Sequence, residues 1–213
     1  MKRSLFAGAA LLAAVILPAA VNAQETIKIG VITAFSGQFA DTSAQIDNGI
    51  KLYMKQHGDK VAGKKIEIIR KDTGGPNPDV SKRLAQELVV RDKADILAGF
   101  ALTPEALGAA SVADEAKKFM VVMNAATAVI TEKSPYIVRV SLTLPMIGET
   151  LGTWAVKKGG VKKAYTMVTD YGPGLDAEAA FQRAFKAAGG EIVGSVRMPI
   201  ANPDFSAFVQ RAK

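Results

Sequence analysis

The chain has 213 residues, 49% of them hydrophobic and 22% charged, with a formal net charge of +7. It contains no cysteine and a single histidine, His57, which excludes a disulfide framework, a thiol nucleophile, a cysteine–histidine pair and a zinc site built on such ligands. Lysines and arginines such as Lys60, Lys64, Lys65, Arg70 and Lys71 are scattered among acids, without an arginine-rich run or basic–aromatic interleaving, so no nucleic acid is expected as a partner.

The N-terminus reads as an export signal. Lys2 and Arg3 form a positive head, residues 5–21 are a run of apolar and small residues broken by Pro18, and Val21-Asn22-Ala23 presents small residues for cleavage. Residues 1–23 are therefore expected to be a signal peptide. The mature chain would start at Gln24 in the periplasm, with a net charge of +5 once Lys2 and Arg3 are gone. No later stretch is long and apolar enough to span a bilayer.

From there the pattern alternates between strand and helix. Residues 27–33 are dense in β-branched side chains and suit a buried parallel strand. A loop opens at Phe35-Ser36-Gly37, and Asp41, Thr42 and Ser43 are helix-entry residues. Ile46, Ile50 and Met54 follow at four-residue spacing, the stripe of an amphipathic helix. A second strand covers residues 65–70, a Gly/Pro-rich turn 72–78, and Val80, Leu84 and Leu88 mark a second helix. Residues 95–99 form a short strand. Thr103-Pro104-Glu105 then reads as a helix start, with a hydroxyl at the N-cap, proline at N1 and an acid in the first turn. Residues 119–123 form a fourth strand and 136–140 a fifth.

Near residue 143 the pattern restarts. A helix over 146–156 carries Ile147, Leu151 and Trp154, a strand covers 163–169, and 170–174 read as a turn. A helix over 176–187 is stopped by Gly189-Gly190, a strand covers 192–198, and another helix begins at 205. The fold class is α/β, with two Rossmann-like doubly wound parallel-sheet units joined by a hinge, over residues 24–142 and 143–213. The second unit stops after two strands and the start of a helix, so the sequence is expected to be a C-terminally truncated fragment.

Met120 to Thr127 is the stretch around which function is organised. An apolar strand ends at Asn124, and the small residues Ala125 and Ala126 and the hydroxyl of Thr127 follow. Open α/β sheets bind ligands just past the carboxyl ends of their strands. The polar loops 35–43, 72–78, 100–103, 124–127 and 170–174 all belong at such ends. No catalytic constellation accompanies them. The glycines form neither G-x-G-x-x-G nor a P-loop, and Asp72 and Asp170 fall in different units, where turn or capping roles suit them. The reading is a binding protein, not an enzyme, with no cofactor and no metal.

In order and spacing these motifs resemble the periplasmic solute-binding proteins of ABC transporters, of the branched-chain amino acid (Leu/Ile/Val-binding) type and the type I periplasmic binding fold. The resemblance rests on residues 27–33 running into Ser36-Gly37, Asp72 after the second strand, Gly99 ending the third, Ala125-Ala126-Thr127, and Asp170-Tyr171-Gly172-Pro173-Gly174. It implies that Thr103, Ala125 and Thr127 hold a ligand carboxylate and that the aromatic Tyr171 closes over the ligand from the second lobe. The helix opened by Thr103 would add the N–H groups of Glu105 and Ala106. Two positions depart from the family. Thr42 stands where an aromatic is frequent, and Thr103 where serine is usual. The space at Thr42, with Phe100 as an aromatic face, implies a ligand such as an aromatic carboxylate. The acidic residue that would meet a ligand ammonium falls beyond Lys213. The implied partners are a small carboxylate ligand, either an amino acid or an aromatic acid, and a membrane permease of the ABC importer, for a monomeric receptor. A solute-sensing regulatory protein and an exported α/β enzyme are the alternatives.

Overall fold

The computed structural model describes residues 25–200 and 204–211. The expected signal peptide lies outside them. The first β-branched run forms β1 (Thr26–Thr33), and β3 (Lys64–Asp72), β4 (Ile96–Gly99), β5 (Phe119–Val122) and β6 (Ile137–Arg139) run parallel to it. A two-residue strand missed by the pattern, β2 (Lys60–Val61), pairs antiparallel to β3 through the turn at Ala62 and Gly63, both at positive φ. The sheet order is β2-β3-β1-β4-β5-β6. The chain leaves β1 to one side, builds β3, then crosses back to place β4 on the other side. Thr33 pairs with Asp72, and Ile32 with Gly99. A crevice opens at such a reversal of strand order, at the carboxyl ends of the strands.

Helices cover both faces, unequally. Alternation along β1 sends Ile32 toward α2 (Pro78–Gln86) and α3 (Thr103–Glu115), where Leu84, Leu88, Leu97, Met120, Val122 and the alanines of α3 make a fully buried core. On this face α2 runs into one π-helical turn, Glu87–Arg91, that keeps Leu88 inside. The opposite face carries α1 (Ala40–His57). Its expected stripe is only half-buried: Ile46, Ile50 and Met54, with Ile29, Ile66 and Ile68 of the sheet, line an open apolar groove of about 490 Å³. The side chains that α1 does bury are polar. Ser43 bonds Thr33 (2.8 Å), and Asp47 pairs with Arg70 (2.6 Å) and Lys51 (2.7 Å).

A second, two-stranded parallel sheet holds β7 (Lys163–Thr169) and β8 (Glu191–Met198). Against it lie α4 (Leu144–Lys157) and α5 (Gly172–Ala187), and α6 (Ser206–Gln210) is the last described helix. α4 and α5 approach closely because Gly148 and Gly152 offer no side chain: a Cβ on Gly148 would come within 2.9 Å of the Ala177 carbonyl. The turn expected at 170–174 is instead the start of α5, which takes in Gly172-Pro173-Gly174. Proline is tolerated in the first helical turn, where its missing N–H has no partner to lose.

Candidate functional site: an uncharged cavity at the strand ends

The first wall of the site comes from β1. After Thr33 the chain makes a 3-10 turn, Gly37–Phe39, into α1, and Phe39 and Thr42 line a cavity of about 400 Å³. The second wall comes from β4. Gly99 (φ +104) and Phe100 (φ +59) both take left-handed conformations, so the chain turns back sharply under β1, where the Phe100 N–H bonds the Ile32 carbonyl (2.7 Å). This turn sends the Phe100 ring into the core at 0% exposure. Phe100 therefore offers no aromatic face to a ligand, contrary to the expectation. The aromatic that the first unit brings to the cavity is Phe39. Its signal was an aromatic one turn ahead of Thr42, inside a loop read only as polar.

Ala101, Leu102 and Thr103 continue this wall. Leu102, not Thr103, is the N-cap of α3; Thr103 is the first helical residue and Pro104 the second. A cap hydroxyl would have turned back on its own helix. Thr103 Oγ1 instead faces across to Thr127 Oγ1 at 2.7 Å, with the two residues 3% and 4% exposed. Two expected donors are taken: the Ala106 N–H bonds the Leu102 carbonyl (3.2 Å), and the Ala125 N–H bonds the Phe100 carbonyl (3.0 Å). In a hydroxyl pair one proton bridges the oxygens. The accepting hydroxyl keeps its own proton for a further acceptor.

The third wall follows β5. Asn124, Ala125 and Ala126 line the cavity, and the Asn124 amide donates to the Ala101 carbonyl (2.9 Å), joining walls two and three. Thr127 is not on the cavity surface. It sits behind Thr103, with its carbonyl accepting from Arg139 (2.7 Å). The last wall comes from the second unit: Leu144 at the start of α4, and Tyr171 and Pro173 at the start of α5. Tyr171 is half-buried, and that burial raises its phenol pKa. Gly172 lies so close to the threonine pair that a Cβ there would stand 2.9 Å from Thr127 Oγ1. Nearby, the Ala128 N–H donates to Asp176 of α5 (2.7 Å).

Of the six sequence-derived positions, the structure brings Thr42, Thr103, Ala125 and Tyr171 to one cavity, puts Thr127 in its second layer, and leaves Phe100 in the core. Pattern reading placed the loops that hold Phe39, Asn124 and Pro173 at the site without singling those residues out, and missed Leu144 and the Asp176 contact. None of the described lining residues is charged. Yet the N-terminal ends of α1, α3, α4 and α5 all supply wall residues. A helix N-terminus carries roughly half a positive charge from its aligned peptide dipoles. The cavity is thus suited to an anion held by dipoles and hydroxyls, against two aromatic and several aliphatic side chains. Among the described residues, no cluster of three or more His, Cys, Asp or Glu could hold a metal.

A family model described as periplasmic binding protein matches residues 26–213. Leu/Ile/Val-binding protein homolog 6 of Brucella abortus is 45% identical over 197 residues, covering 92% of this chain and 50% of that protein. A solute-binding protein of an ABC transporter from Rhodopseudomonas palustris BisB5, solved with 3,4-dihydroxybenzoic acid, superposes with a TM-score of 0.84 at 54% identity, covering 87% of this chain and 51% of the other. A second solute-binding protein from R. palustris, solved with 4-hydroxybenzoate, gives a TM-score of 0.85 at 47% identity, covering 88% and 51%. The chain spans about half the length of these relatives.

Proposed function

This chain belongs to the periplasmic binding protein family, and on that premise we propose that it is part of an extracytoplasmic solute receptor that captures a small aromatic carboxylate for an ABC importer. The observation that carries the reading is the convergence of four helix N-termini and a hydroxyl pair on an uncharged cavity with an aromatic wall. A carboxylate is stabilised there without the desolvation cost of burying a cationic side chain beside it. Thr103, backed by Thr127, and the first turn of α3 would hold the carboxylate. Ala125 and Thr42 would leave room for a ring, with Phe39 and Tyr171 on either side of it.

Residues 24–142 would be one lobe and those from 143 onward the beginning of a second. Tyr171 and Pro173 would then approach the ligand when the lobes close. The receptor would work in the periplasm and present its closed form to a membrane permease, with binding rather than turnover as its activity. The relatives solved with hydroxybenzoates support an aromatic acid over a branched aliphatic one. Calorimetric titration against 4-hydroxybenzoate, benzoate and leucine tests this. Micromolar or tighter binding of the aromatic acids and weak binding of leucine is the expected result. The reverse order would refute the ligand class.

A further inference from the structure

Glu105, at the third position of α3, is fully buried, and among the described residues no cation pairs with it. Its Oε2 accepts from the Leu102 N–H (2.9 Å) and its Oε1 from the Thr73 hydroxyl (2.6 Å), and the backbone at Ala34 and Ala101 lies near enough to favour the charged carboxylate. These groups come from the loops that follow β1, β3 and β4. The Ser81 hydroxyl of α2 further anchors the Glu105 carbonyl (2.7 Å).

Both primary walls of the cavity hang from these bonds. The Leu102 bond fixes where α3 starts, and so fixes Thr103 as its first residue, aimed at Thr127. The Thr73 bond holds the loop after β3. The next residue, Gly74, packs its carbonyl against Gly37 so closely that a Cβ on Gly37 would lie 2.8 Å away. Phe39 and Thr42 follow directly from Gly37. One carboxylate therefore ties the hydroxyl wall to the aromatic wall.

We infer that Glu105 is a positioning residue for the ligand cavity, holding Thr103 and the Phe39–Thr42 segment in register without touching ligand. The inference concerns affinity and rests on the carboxylate-receptor reading. Its geometric part, the tying of three loops, stands apart from any ligand. Burial by itself disfavours the charged form, and the donors oppose it. The net effect is a carboxyl pKa above its ordinary value. A buried acid that departs from its normal range and meets only donors is an expensive way to close a core, which fits a role at the adjoining site.

The test substitutes Glu105→Gln, whose amide must point a donor at one of the donors now satisfied. In the ligand-free protein, amide exchange should accelerate at Ala34, Gly74, Ala101 and Leu102 and stay unchanged in the α4–α5 pair. Affinity for 4-hydroxybenzoate should fall about tenfold or more. Ser134→Ala, which removes another buried hydroxyl bond (to Asp114, 2.7 Å) away from the cavity, serves as the control. It should lower the melting temperature and leave affinity alone. If Glu105→Gln fails to fold, Thr73→Val removes the Oε1 donor only and is read in the same way. Unchanged exchange in the three loops, or an affinity loss no larger than that of Ser134→Ala, overturns the assignment. A parent protein that ignores 4-hydroxybenzoate while the exchange pattern holds instead rejects the ligand class and keeps the loop-tying role.

Discussion

The hydroxyls of Thr103 and Thr127, 24 positions apart, satisfy each other at 2.7 Å, and both residues are almost fully buried. Thr103→Val keeps the shape, removes one hydroxyl and strands the other, so affinity for 4-hydroxybenzoate should drop by about tenfold to a hundredfold. Thr103→Ser should bind close to the parent. Equal calorimetric affinities for the valine variant and the parent would remove the pair from the carboxylate seat. A second residue-scale effect lies away from the cavity. The side-chain bonds of Arg91 and Lys71 hold the Asp92 carboxyl down at about 2, against an ordinary value of 3.8. A depressed acid contributes stability above its unfolded pKa and loses it as pH falls through the folded one. The melting-temperature gap between the parent and Asp92→Asn should therefore be constant near neutrality and close as pH drops from about 4 to about 2. A gap that widens with acid would show the opposite linkage.

Among the elements, α3 carries the most. Its Ala109, Ala110 and Ala113 form the core beneath the sheet, its first turn forms a cavity wall, and its Gly108 lets α2 cross against it. A Cβ at Gly108 would run into the backbone of Pro78, which cannot swing aside as a flexible side chain could. Gly108→Ala should cost about 1–3 kcal/mol, even though alanine favours helix by itself. Urea unfolding with an unchanged m-value reads this directly, and a neutral or stabilising result would mean that α2 can shift. α1 behaves differently. Its Ile46, Ile50 and Met54 follow the expected period, but the helix rests on buried Ser43 and Asp47 and leaves its apolar stripe half open. Periodicity showed a helix with a face. It could not show how far the face closes on the sheet.

For the whole molecule, the relation between the two sheets decides the site. Among the described residues, Asp176 of α5 reaches the Ala128 N–H at 2.7 Å, and Gly172 covers the threonine pair from the same helix. Asp176→Ala removes this tie. It should favour an open arrangement, with affinity for 4-hydroxybenzoate about tenfold weaker and a larger radius of gyration in ligand-free scattering. Unchanged affinity and scattering would make the contact incidental. The alternation of strands and helices, the parallel sheet, and the loops destined for strand carboxyl ends were all legible in the chain. They follow from local periods of two and 3.6 residues and from glycine and proline punctuation. Thr42, Thr103, Ala125 and Tyr171 all sit at such loops, and it was the resemblance to the solute-binding family that singled them out within those loops. The inward turn of Phe100, Phe39 as the aromatic wall, the facing of Thr103 toward Thr127 and the four converging helix starts were decided by tertiary structure alone. They depend on how β1, β4 and β5 register against one another and on how α5 docks, and no local pattern encodes a contact between residues so far apart along the chain.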